Sequence, residues 1–114
     1  MSGGGRAEPA LTVRRAAAAA ARGVPGVAFL RPGIADLLRG AAGRGARDVA
    51  GVQARRAGGV PGGWEVTVEL ATLRGHRALD VTRAVRDAVT EAVAGAVGDA
   101  GCRVRVTVTV TALA

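Results

Sequence analysis

The sequence is short of the residues that carry most enzyme chemistry. In 114 residues it has one histidine, no tyrosine, no lysine and no asparagine, and Ser2 is its only serine. Phe29 and Trp64 are its only aromatic residues. Because Cys102 is the only cysteine, no intramolecular disulfide can form and no cysteine pair can bind a metal. We therefore expect no catalytic, metal or cofactor site, and the unpaired thiol favours a cytoplasmic protein.

The histidine and the cysteine are predicted to lie far apart. His76 precedes a long helix and Cys102 follows it, so a helical rise of about 1.5 Å per residue separates them by roughly 30 Å. A nucleophile and its base must approach to about 3 Å, which argues against a catalytic pair. The carboxylates of that helix, Asp80, Asp87 and Glu91, are interpreted as a solvated face beside arginines rather than as a metal site.

The net charge of +7 has two interpretations. A basic chain attracts nucleic acid, and residues 40–44 have the Gly-x-x-Gly spacing of RNA-binding KH loops. However, all sixteen basic residues are arginine and scattered, and the alanine, glycine and valine content fits a GC-rich coding sequence. We interpret the charge as largely compositional. A small basic nucleic-acid-binding protein is the alternative function.

The apolar segments favour no direct insertion into a membrane. The alanine run at 16–21 is too short for a secretory signal or a membrane span, because it ends at Arg22. Residues 80–97 contain no tryptophan, phenylalanine or leucine with which to enter a bilayer. Any attachment to a membrane is therefore expected to be indirect, through a partner.

The clearest pattern is a helix followed by a strand. Valine recurs at every fourth residue from Val81 to Val97, with charged residues on the opposite side. After a glycine-containing break at 98–101, residues 102–112 alternate valine with arginine or threonine. A helix with one apolar stripe that leads into a strand with one apolar face predicts a two-layer α/β sandwich.

The other segments complete the order α-β-(short α)-β-β-α-β. A first helix is predicted from an N-cap at Thr12 to Arg22, with Arg14 facing solvent. Asp80 is the predicted N-cap of the long helix. The remaining predicted elements are a strand at 27–30, a short helix at 34–39, and strands at 51–56 and 64–73.

The predicted organisation is one small domain. Residues 1–10 are expected to be a flexible tail, 11–113 a single domain, and 40–51 a mobile connector rich in glycine and arginine. The connection through the long helix allows parallel pairing between the strand at 64–73 and the last strand. We therefore predict a mixed sheet of three to four strands, with the two main helices on one face.

The other face of that sheet is the only candidate site. If the last two strands are neighbours, their polar residues share the face that the helices leave uncovered. We hypothesise that this face contacts another copy of the chain or a membrane-anchored protein. Its predicted residues are Glu65, Glu69, Arg103, Arg105, Thr107 and Thr109.

The arrangement resembles the alkaline shock proteins, the envelope stress response proteins of Gram-positive bacteria. The alanine-rich helix end at 16–21 leads into a Val-x-Gly-Val turn at 24–27. Residues 74–81 keep the glycine, the acid and the valine of the family's Tyr-Gly-x-x-Ile-Pro-Glu-Val turn, but lack its tyrosine, isoleucine and proline. The family's closing Val-x-Val-x-Val strand corresponds to 104–110.

The resemblance covers residues 11–113 and carries expectations about function. It implies a non-enzymatic, cytoplasmic protein that forms homo-oligomers and acts near the membrane through an anchoring partner, in cell-envelope homeostasis. With the GC-rich composition, it also implies a high-GC Gram-positive, actinobacterial source. The strongly basic balance departs from the acidic or neutral compositions associated with many members.

Overall fold

The computed structural model describes residues 9–31, 49–58, 63–98 and 103–113, which form two helices and four strands. In chain order these are α1 (Pro9–Arg22), β1 (Val27–Leu30), β2 (Val52–Arg56), β3 (Trp64–Thr72), α2 (Ala78–Val97) and β4 (Val104–Leu113). The predicted order is confirmed for these six elements. The predicted helix at 34–39, residues 1–8 of the predicted tail and residues 40–48 of the predicted connector lie outside the described residues. The last two residues of the predicted tail, 9 and 10, belong to α1, so the tail was predicted too long.

β3 is the central strand of a mixed sheet. β4 pairs with it in parallel along its whole length, as the connection through α2 predicted. β1 and β2 both pair with it antiparallel, β1 opposite residues 70–72 and β2 opposite residues 64–68. Since the ranges do not overlap and β4 occupies one edge, β1 and β2 lie end to end along the other edge.

Glu69 marks the point at which β1 stops and β2 starts. Its N–H donates to the carbonyl of Gly51, and its carbonyl accepts from the N–H of Arg31, both at 2.8 Å. Gly51 has φ +88, and a Cβ there would lie 2.7 Å from the carbonyl oxygen of Arg31. Only glycine combines this backbone conformation with such a close approach.

Both helices cover the same face of the sheet. α1 packs against β1, β2 and β3, α2 packs against β4, and the two helices contact each other. Between them and the sheet lies a core of small side chains in which Leu70 is the largest that is fully buried. The predicted inward residues of β3 and of the valine stripe are confirmed as buried: Trp64, Val66, Val68, Leu70, Val81, Val85, Val89 and Val93.

The predicted start of each helix is wrong, for a local reason. α1 begins at Pro9, so Thr12 lies inside it. Proline suits the first turn because its missing N–H would have no acceptor there. α2 begins at Ala78 after an extended Arg77 with no side-chain cap. Asp80 instead lies in the first turn, where a carboxylate is favoured by the helix dipole.

At the end of α2, the predicted break at Gly98 is confirmed, whereas the predicted burial of Val97 is wrong. Gly98 ends the helix with φ 72, and its N–H donates to the carbonyls of Ala94 and Gly95. Such a left-handed residue after the last turn is typical of glycine. Val97, the last residue of the predicted valine stripe, is 36 % exposed. The stripe therefore contributes to the core only as far as Val93.

Arg14 was predicted to face solvent, and this is wrong. It is half-buried, and its Nε donates to the carbonyl of Val52 at 2.8 Å, with Nη2 at 3.4 Å from the carbonyl of Val49. A guanidinium reaches these carbonyls because its long side chain spans from helix to sheet while its charge remains at the margin of the core. Arg14 therefore connects α1 to the start of β2.

Replacing Arg14 with alanine is expected to lower the free energy of unfolding by about 2 kcal/mol, since hydrogen bonds to a charged group contribute about 1.5–3 kcal/mol. Urea denaturation followed by circular dichroism measures the change. The matched control is Arg15→Ala, one residue along the same helix but exposed, which should change stability by less than about 0.5 kcal/mol. Equal effects of the two substitutions would contradict the role given to Arg14.

Candidate partner-binding face

The open face is the side of the sheet away from the helices, and it is made of in-register rows. One row is Arg55, Glu65 and Arg105; the next is Gln53, Thr67 and Thr107. Glu69 and Thr109 start a third row. Side chains alternate between the faces of a strand, so the burial of the neighbouring valines fixes these residues on the open side.

The structure brings the six predicted face residues together as two adjacent lines. Glu65 and Glu69 lie on β3. Arg105, Thr107 and Thr109 lie on β4, and Arg103 comes directly before it. Arg103 lies just before β4, where its carbonyl accepts the N–H of Trp64 at 2.8 Å. The predicted face is therefore a real geometric surface; its binding of a partner stays a prediction.

An exposed ion pair crosses the first row. The Nη2 and Nε atoms of Arg55 donate to Oε1 of Glu65 at 2.8 and 3.1 Å. The Arg55 side chain is 79 % exposed and that of Glu65 is 31 % exposed, so this pair contributes at most about 1 kcal/mol. Because Glu65 has Arg55 on one side and Arg105 opposite on the other, the row carries a net positive charge.

Four arginines surround the end of the sheet at which β3 begins. Arg55 and Arg56 end β2, and Arg103 and Arg105 lie at the start of β4. The guanidinium of Arg56 lies 5.0 Å from the centroid of the Trp64 ring, within the range of a cation–π interaction. Arginines that are scattered in the sequence therefore meet at one end of the sheet: Arg55, Arg103 and Arg105 on the side of Glu65, and Arg56 on the side of Trp64.

The opposite end of the open face is apolar. Phe29 is paired with Ala71 and is 50 % exposed, while its neighbour Leu30 packs against the core. A shallow depression of about 300 Å³ lies beside Phe29 and Leu30. The open side is therefore basic where β3 begins, and at its other end Phe29 is exposed while its partner Ala71 is fully buried.

The six-residue prediction omitted four residues of this face: Gln53, Arg55, Thr67 and Phe29. Gln53 and Arg55 alternate with Val52 and Ala54, so the same period-two argument would have included them. Phe29 was noted as an aromatic residue, but a four-residue strand gives too short an alternation to assign its face. The six predicted residues therefore share one side of the sheet, and that side extends beyond them.

The structure describes some of the residues that were considered for catalysis and metal binding. His76 is exposed in the β3–α2 turn, with its Nδ1 2.9 Å from the position a Cβ of Gly26 would take. Cys102, Ser2 and the Gly-x-x-Gly motif at 40–44 lie outside the described residues. Within the described ranges, no group of three His, Cys, Asp or Glu residues is placed to hold a metal ion.

Thr72 carries the one buried side-chain oxygen that has no hydrogen-bond partner among the described residues. It is fully buried at the end of β3, opposite Val27. Leaving a hydroxyl unpaired costs about 1–3 kcal/mol. The group is enclosed by the fold and offers no surface to a ligand.

The fold and face define a two-layer α/β protein with one covered and one open sheet surface. No protein-family model, curated protein or solved structure matches the chain. None of the helices in the described part of the chain is both long and apolar enough to span a membrane.

Proposed function

We propose that this protein is a non-enzymatic interaction module of the alkaline shock type, which acts in the cytoplasm in cell-envelope homeostasis. Its open face binds a partner, either another copy of the chain or a membrane-anchored protein that holds it near the membrane. The proposal depends above all on one observation: within the described ranges, helices cover only one face of the four-stranded sheet, and the other face presents aligned charged and hydroxyl side chains.

The two turns that carry the family resemblance support the proposal because they contact each other. A Cβ on Gly26, in the first turn, would lie 2.6 Å from Cγ2 of Val81 and 2.9 Å from Nδ1 of His76, both in the second. The N–H of Leu73 also donates to the carbonyl of Gly26 at 2.8 Å. Motifs far apart in sequence thus form a single structural unit.

Reversing the charges of the open face should remove partner binding without unfolding the protein. Arg103→Glu together with Arg105→Glu reverses the charge of this part of the open face, so a partner surface complementary to the arginines would meet like charges. Tagged protein expressed in the native host should lose its recovery with the membrane fraction, and its far-UV circular dichroism spectrum should not change.

The matched control is Arg83→Glu together with Arg86→Glu. These arginines are exposed on α2, on the opposite side of the molecule from the open face, and the net charge changes by the same amount. The control should retain membrane-fraction recovery. Equal loss in both variants would mean that total charge rather than the open face determines attachment, and the proposal would fail.

Nucleic-acid binding is the second candidate, favoured by the four arginines grouped where β3 begins. Arginine–phosphate contacts weaken steeply with salt, with a log–log slope of about −0.9 per neutralised phosphate on duplex DNA. The open face has no aromatic platform at this end for stacking bases, since Trp64 is buried beneath Arg56. Binding that depends steeply on salt and is lost with Arg105 would favour this candidate.

A further inference from the structure

The outer edge of β4 presents the backbone groups of its valines. The N–H of Trp64 donates to the carbonyl of Arg103, so in this parallel ladder Arg103 and the odd-numbered residues that follow it direct their backbone groups towards β3. The even-numbered residues direct theirs away from β3; they are Val104, Val106, Val108 and Val110. No residue that the structure describes pairs with this edge.

Between Val106 and Val110 this edge lacks the charges, prolines and bulges by which proteins prevent strand addition. β4 is ten residues long, and from Val106 onward it has no charged residue and no proline. The other edge of the sheet is divided at Gly51 into strands of four and five residues, and it ends in Arg55 and Arg56. Among the described strands, β4 therefore has the longest regular edge, from Val104 to Val110, and its register with β3 shifts only between Val110 and Ala112.

The covered side of β4 is also incomplete. Val106 is buried, but Val104, Val108 and Val110 are only half-buried, although they pack against the core. α2 thus leaves part of this apolar line exposed along the edge. A further strand alongside β4 would remove it from water and add its own apolar side chains to the same layer.

We infer that the β4 edge pairs with β4 of a second copy, antiparallel about a twofold axis at Val108. In this register Val106 lies opposite Val110, and Thr107 lies opposite Thr109 on the open side. Apolar residues therefore meet apolar residues, and polar residues meet polar ones. The outward groups of Val106, Val108 and Val110 in both copies form about six backbone hydrogen bonds.

The arginines select this occupant and this register. Arg103 and Arg105 both lie at the start of β4, so pairing about Val108 places each of them opposite the uncharged end of the other strand. Pairing about residue 104 or 105 would place arginine opposite arginine, which is unfavourable. The assignment goes beyond the proposed function, because the β4 edge and the open face are different surfaces and each stands without the other.

The register is tested by charge pairs at positions 107 and 109, measured by sedimentation velocity on purified protein from about 5 to 500 μM. Thr107→Arg with Thr109→Arg, and Thr107→Glu with Thr109→Glu, each place like charges opposite one another across the axis. Both should weaken dimerisation at least about tenfold. Thr107→Glu with Thr109→Arg creates opposite charges there and should dimerise at least as tightly as the original protein.

These variants distinguish two effects on dimerisation: pairing of charges across the β4–β4 contact, and repulsion between the net charges of the two copies. If overall charge repulsion alone controlled association, the double glutamate variant would strengthen dimerisation because it lowers the charge of +7. Salt screens the repulsion between two positively charged copies, so raising its concentration should tighten the original dimer. Binding to a polyanion is instead weakened by salt. A monomer at all concentrations, or equal behaviour of the three variants, would overturn the assignment.

A proline variant distinguishes this edge from the open face. Val108→Pro removes an outward N–H without changing an open-face side chain, so it should weaken dimerisation and keep recovery with the membrane fraction. The open-face double variant at Arg103 and Arg105 should do the reverse. Dimerisation lost by that variant and kept by Val108→Pro would assign the second copy to the open face instead.

Discussion

Replacing Gly26 with alanine should lower the free energy of unfolding by about 3 kcal/mol. Gly26 has φ +97, and for a residue with a Cβ this left-handed conformation costs roughly 1 kcal/mol. The added methyl would also lie 2.6 Å from Cγ2 of Val81, which forces α2 away from the sheet or shifts a core valine, at a further cost of about 1–3 kcal/mol. Urea denaturation measures the difference.

Gly75 provides the control for Gly26. It has φ +90 in the turn before α2, and nothing lies within 4 Å of the position its Cβ would take. Gly75→Ala should therefore cost only the backbone term of roughly 1 kcal/mol. If the two variants lost equal stability, the contact between the first turn and α2 would contribute nothing, and the packing argument would be wrong.

Replacing Leu70 with alanine should lower the free energy of unfolding by about 3 kcal/mol or more. It is the largest fully buried side chain in a core made chiefly of valine and alanine. Short side chains cannot move to fill the space that leucine leaves, so the cost includes a cavity term and falls within the range of about 2–5 kcal/mol seen for such truncations. This is a large part of the stability of an ordinary small protein, about 5–15 kcal/mol.

The same substitution at an exposed leucine is the control. Leu79, in the first turn of α2, is 58 % exposed, so Leu79→Ala should change stability by less than about 0.5 kcal/mol. Thermal and urea unfolding should rank the two variants alike. A Leu70 variant as stable as the Leu79 variant would show that the core is loosely packed.

The helix layer and the sheet layer were predictable because the spacing of apolar residues indicates which face of each helix or strand is buried. In α2 valine recurs at every fourth residue over enough turns to exclude a strand. The alternation in β3 and β4 continues long enough to exclude a helix. The errors lie where a single residue has two possible roles. Arg14 resembles a solvent-facing arginine until the carbonyls of Val49 and Val52 are placed beside it, and no local pattern in α1 signals those partners.

The sequence predicts which residues lie on the open face, but not which of them are paired across neighbouring strands. Alternation assigns Glu65 and Arg105 to the same surface, but their direct pairing depends on the length of the connection through α2. The pairing of Arg55 with Glu65 depends similarly on the loop between β2 and β3. The grouping of four arginines at one end follows from these registers, so a sequence-level argument could describe them only as scattered.

The end-to-end placement of β1 and β2 has a consequence for how this chain tolerates change in length. The backbone leaves the sheet at Arg31 and returns at Gly51, and both points are hydrogen-bonded to the same residue, Glu69. The segment between Arg31 and Gly51 therefore starts and ends beside the same residue of β3. The entropy of closing a connection between two fixed points rises only with the logarithm of its length, so a doubling costs about 0.6 kcal/mol. Residues inserted between Arg31 and Gly51 should therefore leave the register of the described strands unchanged.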